Sequence, residues 1–367
     1  MYLTKHILFA LFCAVLCFAQ DANARVNKDS LRYVDASQFE IRGKVYRDAK
    51  PMYSRIPEFL KDSVREPLWK LGQNSAGIAI RFRTNSRSIG AEWKSQFKNA
   101  MPHMTPTGIR GLDLYCMHEG EWRFVRSGQP SLKNDSTRTL LIENKTEGYR
   151  EYMLYLSLYD GVENLKIGID SMAEIGMPQI DSPRKEKPIV FYGSSIMQGG
   201  CATRPGMASS NIIGRRLDRA TYNFGFSGNA FIDYEIAHMM AEVDASVYVL
   251  DYVPNASPEM ITEKTEKFVK ILRDAHPDVP LIFIEDPDFT FYLFSQEAVD
   301  EITNKNKAIN EAFKQLKKKG VKNIYLIDGS TLLKDNGEST VDGIHFTDLG
   351  FEQYVKAVMP LIKKVIK

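Results

Sequence analysis

The segment Ile189-Val190-Phe191-Tyr192-Gly193-Ser194-Ser195-Ile196-Met197-Gln198-Gly199-Gly200 runs an apolar stretch straight into a pair of serines bracketed by glycines. Apolar residues without polar alternation are what a strand buried on both faces of a parallel sheet requires. Gly193 lets the chain turn sharply at the strand end, and a serine presented there faces a crevice with its hydroxyl and its own backbone N–H. A phosphate-cradling loop is the rival reading. It fails in detail, because no Lys-Ser or Lys-Thr follows at phosphate-loop spacing and Gly-x-Gly-x-x-Gly is absent.

Further apolar runs follow at Tyr222 to Phe226, Val247 to Val253, Leu281 to Ile284 and Ile324 to Ile327. Between them lie helical patterns, the clearest at Asn211 to Arg219, Glu259 to Ala275, Glu297 to Lys319 and from Leu349 onward. Strands each followed by a helix predict a three-layer α/β/α domain with a five-stranded parallel sheet, over residues 188–367. Ligands of such sheets bind beyond the carboxyl ends of the strands, so the loops just after each strand are where the chemistry is sought.

Those loops carry candidates. Asp342-Gly343-Ile344-His345 stands between the last strand and the last helix. A hydrolytic serine needs a base in reach and the imidazole needs a group that fixes its tautomer, so Asp three residues before His supplies both partners from one turn. Asn223-Phe224-Gly225-Phe226-Ser227-Gly228-Asn229 follows the second strand and Asp251-Tyr252-Val253-Pro254-Asn255 closes the third. Glycines there allow a backbone N–H to approach a substrate, and an Asn side chain at a strand end can point its amide into the crevice. Outside the first 24 residues the histidines are His103, His118, His238, His276 and His345. His238 and His276 read as packing and capping residues on helices, whereas His103 and His118 fall in the upstream half.

That half, residues 25–180, reads as a β-sandwich of the jelly-roll kind. Ile78, Ile80 and Phe82 alternate with Ala79, Arg81 and Arg83, and Leu154, Leu156 and Leu158 with Tyr155, Ser157 and Tyr159, the period of strands with one wet face. Glu119-Gly120, Ser127-Gly128 and Asp160-Gly161 mark turns, and one helix is expected near Ile56 to Leu71. The charged, Pro-bearing stretch Asp181 to Pro188 marks the linker to the second domain. Tyr155 and Tyr159, on the expected wet face, and His103, in a turn-rich loop, are candidates for a wall against which substrate packs.

Together, Gly193-Ser194-Ser195-Ile196, Ser227-Gly228-Asn229, Asn255 and Asp342-Gly343-Ile344-His345 resemble the four blocks of the SGNH (GDSL-type) hydrolases, over roughly residues 188–367. Gly111-Leu112-Asp113-Leu114-Tyr115 resembles the signature of the small β domain that precedes SGNH domains in secreted, Bacteroides-type proteins. The resemblance implies Ser195 as nucleophile, the N–H of Ser195 with Gly228 and Asn255 as oxyanion hole, and Asp342 with His345 as the rest of a triad. Ser194 stands where the family usually has Asp, Asn255 lacks the usual flanking Gly and Asp, and Phe346 replaces a frequent Pro.

Composition agrees with a globular protein: 367 residues, 44% hydrophobic, 26% charged, 48 Lys+Arg against 46 Asp+Glu for a net charge of +2. That balance is too small for nucleic acid or anionic membrane binding. Lys5 and His6, an apolar run from Ile7 to Ala19 and small residues ending Ala22-Asn23-Ala24 form a signal peptide over residues 1–24, so export to the periplasm or beyond is expected. The run is about 13 residues, short of the roughly 20 that span a bilayer. Bulky residues before Cys13 and Cys17 argue against a lipoprotein anchor. Cys116 and Cys201 remain, read as buried free thiols rather than a bridge, and too few for a zinc framework. The expected activity is a cofactor-free, metal-free serine esterase acting on small O-acyl, above all O-acetyl, groups of a glycan. The alternatives are a lipid or thioester acylhydrolase and a non-catalytic glycan-binding protein.

Overall fold

In the computed structural model, which describes residues 27–334 and 337–366, the expected leader over residues 1–24 lies outside the described residues. The alternating N-terminal segments form β1 (Arg32–Asp35), β2 (Glu40–Arg42), β3 (Ala79–Thr84), β4 (Ser88–Ser95), β5 (Leu112–His118), β6 (Glu121–Gly128), β7 (Ser136–Glu143), β8 (Arg150–Tyr155), β9 (Val162–Ile169) and β10 (Ile175–Gly176). They make two antiparallel sheets, ordered β1-β9-β4-β7 and β10-β3-β8-β5-β6 with β2 on β3. Ile80 and Phe82 of β3, Trp93 of β4, Leu114 of β5, Leu154 of β8 and Ile167 of β9 fill the space between the sheets. This is the expected β-sandwich. Where one helix is expected, a 3-10 turn at Glu58–Ser63 precedes α1 (Glu66–Gly72). Pro67 is the reason, since proline is tolerated only in a helix's first turn. A short α2 (Pro106–Arg110) leads into β5.

The second half contains β11 (Arg184–Gly193), β12 (Arg219–Gly225), β13 (Val247–Asp251), β14 (Leu281–Ile284) and β15 (Ile324–Ile327). All pair in parallel, in the order β12-β11-β13-β14-β15. The helices are α3 (Ser195–Gln198), α4 (Ser209–Leu217), α5 (Tyr234–Ala241), α6 (Pro258–Ala275), α7 (Gln296–Lys318) and α8 (Asp348–Val365). Alternate strand residues go to opposite faces. Val190, Tyr192, Leu250 and Phe283 pack with α5, α6 and α7, while Ile189, Phe191, Val249 and Ile282 pack with α4 and α8. Every β11 and β13 side chain from Ile189 to Tyr192 and Val247 to Leu250 is buried, as the unalternating runs require. The chain leaves β11 toward β12 on one side and continues from β13 on the other. The end of β11 is therefore the topological switch point, where doubly wound sheets open a crevice.

The wet face expected on β3 and β8 is dry. Ala79, Arg81, Met153 and Tyr155 are all buried, because this side of the sheet lies against Gly214 of α4 and Ala220 of β12. Asp113 and Tyr115 of the Gly-x-Asp-Leu-Tyr segment pin that contact. The Asp113 carboxylate accepts from Arg204 Nη1 at 2.9 Å and Gly206 N–H at 2.7 Å, and Arg204 also donates to the Tyr115 hydroxyl at 2.7 Å. Residues 184–188 of the expected linker are already strand, with Arg184 paired to Arg219 before the register shifts at Ile189. No helix among the described residues is long and apolar enough to cross a membrane.

Candidate active site

Ser194 caps α3, its hydroxyl accepting from Ile196 N–H at 3.3 Å, and so the next residue, Ser195, opens the helix with its N–H unpaired. Gly193 permits this by close approach: a Cβ there would sit 2.5 Å from the Asp251 carbonyl oxygen of the neighbouring strand. Of the two serines only Ser195 meets the histidine. Its Oγ is 3.0 Å from His345 Nε2, and His345 Nδ1 is 2.8 Å from Asp342 Oδ2. The turn that carries the pair is closed by Asp342 itself, whose Oδ1 accepts from the N–H of Ile344 at 3.1 Å and of His345 at 2.8 Å.

Charge fixes the tautomer. Burial opposes ionisation of Asp342, but the hydrogen bonds from the His345 ring and from the two N–H groups prevail and hold its carboxyl down to about 2. An ionised Asp342 only accepts, so Nδ1 carries the ring proton and Nε2 presents its lone pair to the Ser195 hydroxyl. That is the arrangement a general base needs to take the proton of an attacking serine.

Three candidate donors stand at the strand-end loops. The N–H groups of Ser195 and Gly228 and the Asn255 Nδ2 make no hydrogen bond within the described residues. Gly228 is exposed with φ +63°, a left-handed conformation that glycine adopts without cost. Asn255 is half-buried, and its Oδ1 accepts from Ala230 N–H at 3.3 Å, which orients the amide. Two residues hold these parts in register: Gln198, which sequence reasoning did not single out, and Tyr159, one of the expected wall residues. Gln198 is fully buried and bridges them, Oε1 accepting from Ser227 N–H at 3.0 Å and Nε2 donating to Leu158 O at 3.0 Å. The Tyr159 hydroxyl donates to Ser195 O at 3.2 Å. The only sequence signal for Gln198 was its place in the same glycine-bracketed loop.

The other two expected wall residues part company. His103 stands at the site, its ring 5.3 Å from that of His345 and tilted by 32°. Tyr155 does not reach it. At 4% exposure its ring lies edge-on to Tyr115 and beneath the Arg215 guanidinium, between the domains, because the strand face that looked wet is the interface. His118 is exposed on a β turn, His238 is exposed rather than packed, and His276 caps α6 with Nε2 2.8 Å from Ala241 O. Cys116 and Cys201 are free and buried. Burial, and then the Asp342 charge, push the Cys201 thiol up to about 12, so it is no rival nucleophile.

Beside the His345 turn lies a cleft of about 270 Å³, lined by Pro254, Phe291, Tyr292, Lys305, Ile344 and Asp286. Asp286 is 4% exposed, its Oδ1 has no hydrogen-bond partner, and burial raises its carboxyl to about 7. A larger groove of about 970 Å³, bounded by Trp122, Phe124 and Arg216, includes none of the residues around Ser195.

Residues 186–363 match the model of the GDSL-like lipase/acylhydrolase family, and residues 31–175 that of the N-terminal domain of SGNH-hydrolase-type esterases. A search of curated proteins returns no significant match. Among solved structures, an acetyl xylan esterase from the rumen bacterium Butyrivibrio proteoclasticus shares the fold at 10% identity, with a TM-score of 0.54 over 91% of this chain and 98% of its own. The salicylyl acyltransferase SsfX3 of a tetracycline biosynthetic pathway does so at 16% identity, with a TM-score of 0.75 over 94% and 100%. A Bacteroides ovatus protein of GDSL-like lipase type is 37% identical over 91% of this chain and 98% of its own, with a TM-score of 0.86. Identity at that level, spanning both domains, means that this chain belongs to the GDSL-like lipase/acylhydrolase family.

Proposed function

We propose that the protein is a serine esterase that removes small O-acyl groups, above all acetyl, from a carbohydrate. The observation that carries this reading is the unbroken chain Ser195 Oγ, His345 Nε2, His345 Nδ1, Asp342 Oδ2, with contacts of 3.0 and 2.8 Å. In the mechanism, His345 Nε2 accepts the Ser195 proton as Oγ bonds to the ester carbonyl carbon. The oxyanion that forms is held by the N–H groups of Ser195 and Gly228 and by the Asn255 amide. Collapse breaks the bond to the alkoxy group, which takes the proton from His345. Water then repeats the cycle in reverse order and frees the acid. The cleft of about 270 Å³ that Ile344, next to the base, helps to line has room for a short acyl group or a single ring.

The carbohydrate half of the reading draws on the fold shared with an acetyl xylan esterase and on the polar floor of that cleft, Asp286 and Lys305. Export rests on the charged start and short apolar run of residues 1–24, and mass analysis of protein from its native host checks it through a new terminus between Gln20 and Arg25. The test of the chemistry is a fluorophosphonate probe. Ser195→Ala should lose labelling and acetate release, and Ser194→Ala should keep both. The reverse pattern moves the nucleophile, and turnover independent of both serines leaves the second domain a scaffold. One observation favours a lipid acylhydrolase: Leu293 and Phe294, near Phe291 and Tyr292 in sequence, are 80% and 85% exposed. A wild type that prefers acyl chains of eight or more carbons, on the order of a lipid tail, would decide for it.

A further inference from the structure

His345 also belongs to a cluster whose other two members, His103 and Cys201, ester hydrolysis does not require. His103, Cys201 and His345 each bring one ligating atom, and the three atoms lie within 4.8 Å of one another. Cys201 is 4% exposed and held at φ +71°, a region uncommon for any residue but glycine, whereas both histidines are partly exposed.

The three residues come from three separate segments, and one residue ties those segments together. Thr203, two positions after Cys201, donates from its N–H to Asp348 Oδ1 at 3.0 Å and from its hydroxyl to Asp348 Oδ2 at 2.6 Å, just beyond His345. Its carbonyl accepts from the hydroxyls of Thr105, at 2.7 Å, and Thr107, at 2.6 Å, just beyond His103. The spacing of the three side chains is thus braced by the fold.

We propose that His103, Cys201 and His345 form an inhibitory site for a soft divalent cation, Zn2+ foremost, that occupies the ring of the base. Two imidazoles and a thiolate suit zinc, cobalt or copper, and exclude magnesium and calcium, which want oxygen. On binding, Cys201 gives its thiol proton to solvent and both rings coordinate as neutral imidazoles, so the site gains one net positive charge. Coordination through His345 Nε2 removes the acceptor of the Ser195 proton. Coordination through Nδ1 breaks the bond to Asp342. Either way the nucleophile is left without its base.

The inhibitory effect rests on the esterase reading, but the binding does not, and the experiment separates them. Full-length protein is dialysed against Zn2+, and against Co2+ for spectroscopy, as wild type, His103→Ala, Cys201→Ala and Cys201→Ser, the last keeping the side-chain volume if alanine unfolds the loop. One zinc per chain is expected, with a thiolate-to-cobalt charge-transfer band that both Cys201 variants lose. Each variant should bind zinc at least about tenfold more weakly. Zinc should inhibit aryl acetate hydrolysis in the wild type, reversibly with a chelator, and each variant should resist it relative to its own basal rate, while Mg2+ and Ca2+ do nothing. Unchanged zinc affinity in the variants, or no thiolate band, overturns the site. Binding without inhibition overturns the inhibitory role. Absence of any turnover in metal-free wild type counts against the esterase, and the dialysis and cobalt spectrum still decide the site.

Discussion

Asp342 is the residue whose ionisation the rest of the site depends on. With its carboxyl held down to about 2, below the roughly 3.9 of an unfolded chain, the stability it lends is complete above about pH 4 and is lost as pH falls through 2. Asp342 is therefore ionised at every pH where an esterase is assayed. The acid limb of kcat/KM should report protonation of the base alone, a single ionisation, and a second one above pH 4 would contradict this. Asp342→Asn leaves the size of the side chain but no longer fixes Nδ1 as donor, and kcat should fall by roughly 10⁴, the loss seen when a triad tautomer is wrong. Asn255→Ala should fold normally and lose roughly 10²–10³ in kcat, as for one oxyanion donor. An unchanged rate would mean that the loop after Pro254 offers a different donor.

At the scale of elements, the strand ends are where burial and chemistry compete. β13 ends on Asp251 and Asp286 stands two residues beyond β14, both nearly sealed, and burial raises each carboxyl to about 7. Tyr354 donates to Asp251 Oδ2 at 2.7 Å, while Asp286 Oδ1 has no partner. A carboxyl raised in the folded state holds a proton that the unfolded chain has released, so stability falls as pH rises from about 4 to about 7 and stays lower above that. Asp286→Asn carries no such cost. Its melting temperature should match the wild type near pH 4 and exceed it by several degrees at pH 8, a difference on the order of a few kcal/mol. Parallel curves would mean that Asp286 titrates normally. The same elements show what the sequence could and could not say. Strands such as Leu281–Ile284 and Ile324–Ile327 and helices such as Pro258–Ala275 stood within a residue or so of their positions, because buried parallel strands and amphipathic helices write their periods into the chain. Ser195, Asp342 and His345, which the structure brings into contact, stood out in the sequence because each sits within two residues of a glycine between a strand and a helix. Tyr155 was misread, since alternation says that a strand has two unlike faces and is silent on whether the second meets water or another domain.

The whole molecule is two domains by topology but not by packing. Ile56, Val64 and Leu68 from the N-terminal half belong to one core layer of the parallel sheet, and Met104, Ile109, Leu158 and Tyr159 to the other. Arg55, 2% exposed, donates to the carbonyls of Leu71 and Asn74 on its own side and of Asn223 and Gly225 on the far one. The site shares this dependence, through Gln198 to Leu158 O, Tyr159 to Ser195 O and the His103 ring over His345. At roughly 1.5–3 kcal/mol for each buried apolar side chain, the seven named above match or exceed the roughly 5–15 kcal/mol by which a domain is stable. A chain from Asp181 to the C-terminus, although it keeps every strand of the parallel sheet and all of Ser195, Gly228, Asn255, Asp342 and His345, should therefore not fold on its own. Expected are weak near-ultraviolet dichroism, binding of a hydrophobic dye, no cooperative melt and no ester turnover, whereas the full chain melts in a single transition. A cooperative melt of the shortened chain with near-normal turnover of a small aryl acetate would mean that the N-terminal domain serves substrate choice alone, and the shared core would then be an adornment of the fold rather than a condition of it.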